Sequence, residues 1–221
     1  MSVERSADGI ACTPGKGREA EERGQKAEAI LSAAGERFLA LGFQGTSMDE
    51  VAQRAGVSEQ TVYSHFASKQ ALFKACIRAK AAGYGFDEKT EVDDSDLRVA
   101  LLTLTRRCID PLFDPEVIAM HRLVMGESAS HPRIAELFFD SGPRRTEAAV
   151  CAFLQAQVAK GRLQIDQGHL RYAAMQLLNT AVGMYQLPLW LGLRASVAQD
   201  ELETHLQRVV DDFLRLYPSS A

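Results

Sequence analysis

Residues 47–69, SMDEVAQRAGVSEQTVYSHFASK, carry the pattern of two short helices joined by a tight turn. Met48, Val51, Ala52 and Ala55 fall at i, i+3, i+4 and i+7, one apolar face of a helix. Ser47 and Glu50 stand three apart just before that face, the spacing of a capping box. Gly56 sits where the helix must stop, because glycine turns left-handed without a Cβ penalty. Val57 then packs inward, and Ser58 is placed to cap a second helix from Glu59 to about His65. Spacing alone leaves two readings open. One is an ordinary αα-corner; the other is a helix-turn-helix that lays its second helix in the DNA major groove.

The residues say more than the spacing. The segment from about Ala27 to Ile77 resembles the DNA-binding domain of the tetracycline-repressor (TetR) family of transcription regulators. The resemblance rests on Gly42-Phe43, Thr46-Ser47, Val51-Ala52, Ala55-Gly56-Val57, Thr61-Val62-Tyr63, His65-Phe66 and Ser68-Lys69. It implies an all-α chain: a three-helix helix-turn-helix domain followed by a helical ligand-binding and dimerisation bundle. The division expected is an arm over 1–22, a DNA-binding domain over 23–82, and an effector and dimerisation domain over 83–221.

Composition sets wide bounds. A chain of 221 residues is long enough to bury one or two cores. The formal charge of −4 argues against a protein that coats nucleic acid without specificity. Residues 16–80 hold ten Lys/Arg against eight Asp/Glu, whereas residues 81–221 hold 14 against 19, so the front end is the part suited to phosphates. Cys12, Cys76, Cys108 and Cys151 show no C-x-x-C pair and no metal spacing, which fits reduced cytoplasmic thiols, with a redox pair as the alternative. No metal and no cofactor is implied. The uncharged run 173–193 is long enough for a bilayer, yet its Gln176, Asn179, Thr180, Gln186 and Pro188 favour a buried soluble helix, so no membrane partner is expected.

In chain order, residues 1–22 show no periodicity and are expected to form a disordered arm; Lys16 and Arg18, with Arg23 and Lys26 beyond, could meet phosphates, but the interleaved Glu19, Glu21 and Glu22 favour a merely solvated tail. A helix over about 25–41 presents Ala27, Ile30, Leu31, Ala34, Phe38 and Leu41 on one stripe and ends at Gly42. A fourth helix begins at Ser68, and the acidic stretch 87–96 connects to the second domain. Helices then follow over 97–109, 115–127, 132–140, 143–160, 168–191 (kinked near Pro188) and 197–216, with Asp114-Pro115 opening the second of them. Three patches, MHRLVMGE, DSGPRR and KGRLQID, resemble the AefR-type branch of the family.

The resemblance places Glu59, Gln60 and Tyr63 at base edges, where glutamine can pair with adenine, glutamate with cytosine and a tyrosine ring with thymine methyls. Thr61, Tyr63 and His65 offer donors to phosphates, and Ser47 and Lys69 sit at helix N-termini that favour an anion. Tyr63 and His65 also fit half-buried packing. His121, Met125, Cys151, Met184, Tyr185 and Trp190 are candidates to line an effector pocket, or else ordinary core. Leu202, Leu206, Val209, Val210, Phe213 and Tyr217 form an apolar stripe on the last helix. The resemblance assigns it to a homodimer interface, while the pattern alone equally suits the chain's own core. The expected function is a ligand-responsive regulator, a repressor, that binds a palindromic double-stranded DNA operator as a homodimer and is released by a small apolar or amphipathic effector. The competing classes are a constitutive DNA-binding regulator and an all-α enzyme. Against the enzyme, the chain has no Glu-x-x-His pair, phosphate loop or G-x-S-x-G motif.

Overall fold

The computed structural model describes residues 15–85 and 92–219, with side chains from residue 20 onward. Among these residues every regular element is helical, and there is no strand. The expected arm is only partly within them. Residues 15–22 belong to the first helix, α1 (Gly15–Gly45), because their Ala, Glu, Lys and Arg content has high helix propensity. Cys12 and residues 87–91 of the acidic connection lie outside the described residues.

Local signals set the next boundaries. α1 leaves helical geometry at Gly42, where φ is 75°. In α2 (Met48–Ala55) Ser47 accepts from the Glu50 N–H while the Glu50 side chain accepts from the Ser47 N–H, the reciprocal capping box. Gly56 follows in the left-handed region at φ 67°. Ser58 caps α3 (Glu59–His65) and Ser68 caps α4 (Lys69–Gly83), each through its hydroxyl oxygen. Asp96 caps α5 (Leu97–Ile109), and a 3-10 turn over Asp110–Phe113 leads to α6 (Pro115–Glu127), capped by Asp114. Then come α7 (Pro132–Ser141), α8 (Pro143–Ala159), α9 (Leu170–Val182), α10 (Gln186–Trp190) and α11 (Gln199–Leu216). The break expected near Pro188 lies earlier, at Gly183, whose φ of 53° and ψ of −146° suit glycine; Pro188 sits inside α10.

Two apolar cores result. The first joins Ile30, Phe38, Phe43, Val51, Val62, Leu72 and Phe73 from the front helices to Val124 of α6 and to Ile134 and Leu137 of α7. Phe38, Phe43 and Phe73 pack as a trio, with centroids 5.1 to 5.7 Å apart. Each such pair contributes about 0.5–1.5 kcal/mol beyond its area. The second core unites α5, α8, α9 and α11 around Leu101, Leu154, Leu177 and Val210. α6 and α7 therefore serve the helix-turn-helix as a floor, although they lie far downstream of it in sequence.

The stripe assigned by resemblance to the dimer interface is corrected by this arrangement. Leu206, Val209, Val210 and Phe213 are no more than 5% exposed within one chain, and Leu202 and Tyr217 pack against the same core. The cause is geometric: α11 runs against α5 and α9, which present the complementary apolar faces.

Candidate nucleic-acid interface and effector cavity

α3 buries Val62 and turns its opposite face outward. Glu59, Gln60, Tyr63 and Ser64 are exposed there, while Thr61 and His65 are half-buried. Gln60 has no hydrogen-bonding partner among the described residues, so its amide is available to a base edge. The Thr61 hydroxyl lies 2.8 Å from the Ser58 hydroxyl, and the His65 ring leans on Phe66 with centroids 6.1 Å apart. Beside this face, Glu22, Arg23 and Lys26 of α1 line a groove with Thr61, Ser64 and His65. Ser64 is not among the sequence candidates, because its place in the groove depends on tertiary packing that no local pattern records.

Two residues assigned to phosphate contact have structural duties as well. The exposed Ser47 is the cap of α2. Lys69 donates from Nζ to the Thr46 carbonyl at 2.9 Å and the Gln44 carbonyl at 3.3 Å, and lies 4.7 Å from the Phe43 ring centre. Burial holds its pKa below the ordinary lysine value, opposed by the nearby Glu127 carboxylate. That carboxylate also joins the two halves of the molecule. Glu127 Oε1, at the end of α6, accepts from the Phe43 N–H at 3.1 Å, and its Oε2 is buried without a partner. Gly42 leaves room for it: a Cβ there would stand 2.1 Å from Glu127 Oε1.

Behind the helix-turn-helix lies a cavity of about 720 Å³. Its wall combines Leu31, Gly35 and Leu39 of α1 and Cys76, Ile77 and Lys80 of α4 with residues of α5, α6, α7, α9 and α10. Of the sequence candidates, His121 and Trp190 line it. Met125 and Met184 are instead exposed, at 48% and 75%, and Cys151 and Tyr185 are half-buried outside the wall. Tyr185 packs against His205 and Phe113. Part of the wall comes from α1 and α4, helices whose sequence pattern marks them only as packing elements of the DNA-binding domain.

Some polar groups in and around the wall are occupied. Lys80 pairs with Asp114 at 3.1 Å and Glu116 at 2.8 Å. Tyr84 donates its hydroxyl to Asp114, and burial pushes its pKa up to about 12. Burial also pushes the Cys76 and Cys108 thiols up to about 12 and raises Cys151, so these thiols stay protonated and poorly nucleophilic. Arg122 of α6 donates to the carbonyls of Leu189 and Trp190, tying α6 to α10. No cluster that could hold a metal ion occurs among the described residues, and no described helix is long and apolar enough to cross a membrane.

Comparison with known proteins matches both halves to one family. The sequence model of bacterial regulatory proteins of the TetR family matches residues 30–76, and that of the AefR-like transcriptional repressor C-terminal domain matches residues 99–219. The transcriptional activator FasR of Mycolicibacterium smegmatis is 45% identical over 58 residues, 26% of this chain and 25% of that protein. The regulator RutR of Escherichia coli K12 is 45% identical over 53 residues, 24% of this chain and 25% of that protein. The chain thus spans about a quarter of the length of these curated relatives, 25% in each case, through the DNA-binding part. Solved structures align over nearly the whole chain. The flavonoid-responsive regulator FrrA matches at TM-score 0.70 and 31% identity, covering 90% of this chain and 100% of that one. A TetR-family regulator from Mesorhizobium loti matches at TM-score 0.71 and 27% identity, covering 89% and 98%. The two-core helical architecture, the outward face of α3 and these matches together make the chain a member of the TetR family of bacterial regulatory proteins, with an AefR-like C-terminal domain.

Proposed function

We propose that the protein is an effector-responsive transcription repressor that binds a palindromic operator as a homodimer. The observation that carries this reading is the composition of the cavity wall: α1 and α4, which hold the helix-turn-helix, share it with the helices of the C-terminal domain. A molecule bound there touches both halves at once. Binding that favours one spacing of the two recognition helices over another shifts the dimer away from successive major grooves, about 34–36 Å apart. The AefR-like repressor description of the C-terminal match and the effector response named for FrrA support the same reading. Gln60, Glu59 and Tyr63 are proposed to meet bases; Thr61, Ser64, His65, Arg23 and Lys26 are proposed to meet phosphates.

A second copy is proposed to cover the exposed apolar residues of α9, α10 and the turns that follow them, Tyr172, Met175, Met184, Leu187 and Leu191, which stand 41–75% exposed. Selection of bound sequences from a random DNA pool tests the core of the proposal. A palindrome is expected, and recovery of no enriched sequence overturns operator binding. With that palindrome, release by apolar small molecules tests effector control; a complex that persists across a broad set of them overturns it.

A further inference from the structure

We propose that His121 selects the effector, its Nε2 accepting a hydrogen bond from the hydroxyl of an uncharged aromatic molecule of the phenol class. This rests on the reading of the cavity as the effector site. The ring's orientation follows from its contacts. His121 Nδ1 lies 2.8 Å from the Val117 carbonyl oxygen one turn back on α6. A carbonyl only accepts, so Nδ1 carries the proton and Nε2 presents a lone pair. The ring cannot easily turn to exchange these roles. Trp190 stacks on it with centroids 5.3 Å apart at 27°, and Phe138 meets it at 4.8 Å and 78°. All three residues line the cavity. Nε2 has no partner among the described residues and, unlike the Trp190 indole nitrogen, is not sealed within the protein. Burial also holds the imidazole pKa below its ordinary value, which keeps the ring neutral at pH 7.5.

The rest of the wall narrows the ligand. Met120, Leu178 and Val182 add apolar surface to the same wall. A ligand that fills this space removes water from Nε2, so one without a donor leaves the lone pair unpaired and binds more weakly, by about tenfold. A carboxylate brings only lone pairs to a neutral acceptor and is disfavoured at this position. A phenol keeps its proton at neutral pH, since its pKa is about 10, and offers a strong donor on a flat apolar body. The rival determinant is Arg107, which also lines the cavity and would draw an anion.

Calorimetry on the full chain at pH 7.5 separates these cases with 4-phenylphenol, its methyl ether 4-methoxybiphenyl, and biphenyl-4-carboxylate. The wild type is expected to bind the phenol about tenfold more tightly than the ether, with the carboxylate weakest. His121→Phe should erase the preference for phenol over ether while the ether's own affinity changes little, and His121→Met serves the same purpose if that variant fails to fold. Equal binding of phenol and ether by the wild type overturns the role of His121 and leaves an apolar effector standing. Tightest binding of the carboxylate overturns it in favour of Arg107. A phenol preference that survives in the variant also overturns it. Absence of binding by all three overturns the phenol class, whereas effector control falls only if the operator complex persists across the broader set of compounds.

Discussion

Gln60 and His121 each hold a side chain ready for a partner from outside the chain, for opposite reasons. Gln60 is exposed on α3 with its amide unengaged, whereas His121 is held by a backbone bond and two rings. Gln60→Ala is expected to relax preference at one base position in each half-site, at a cost of about 1–3 kcal/mol there. Equal losses on cognate and scrambled DNA would remove Gln60 from base contact. For His121 the expected signature is in stability. Its folded pKa is depressed below the ordinary 6.5 by burial. As pH falls below 6.5, the unfolded chain takes up a proton that the folded ring resists, so the contribution present above that pH is lost on acidification. Denaturant midpoints from pH 8 to 5 should fall more steeply for the wild type than for His121→Phe, and parallel curves would show the ring to be freely solvated.

Among the elements, the meeting of α1 and α6 turns on two residues, Gly42 and Glu127. Gly42 at φ 75° would strain any other residue by about 1–2 kcal/mol, and an added Cβ also displaces the Glu127 carboxylate from the Phe43 N–H. Gly42→Ala is therefore expected to destabilise the fold by about 2–3 kcal/mol, and Glu127→Ala by about 1–2. The pair should be less than additive, because both remove one hydrogen bond; additive urea-unfolding losses would show that the carboxylate does not couple the helices. These elements also mark what the sequence could disclose. Ser47 with Glu50, Gly56, and Asp114 before Pro115 act within a few residues, so their caps and turns were legible. The α11 periodicity revealed an apolar face but not its cover, since a core and a subunit interface ask for the same side chains. Met125 and Met184 misled for a related reason: an apolar residue outside the core can line a cavity or face outward, and hydropathy is blind to which. The Glu127–Phe43 bond joins residues 84 apart in sequence, and no local pattern announces such a pairing.

At the scale of the whole molecule, the correction to α11 changes how the proposed dimer must be tested. Phe213 is 4% exposed and packs in the chain's own core, with its ring 4.8 Å from that of Tyr217. Phe213→Asp places a carboxylate there without a partner, so the expected result is loss of cooperative unfolding rather than a folded monomer. The discriminating position is Met175, which is 41% exposed on α9 and follows Tyr172 by one turn on the same side. An aspartate at Met175 remains solvated in a single chain and should leave helicity and urea stability nearly unchanged. Across a two-fold interface it would be desolvated twice, once from each subunit, and the dimer should dissociate. Each monomer would keep its α3 face but lose the linkage that makes the second half-site contact effectively intramolecular. Operator affinity should then fall by orders of magnitude while weak half-site binding survives. Sedimentation of Met175→Asp beside the wild type supplies the measurement. A variant that stays dimeric would free the α9 face from the interface, and a folded, monomeric Phe213→Asp would return the interface to the closing helix.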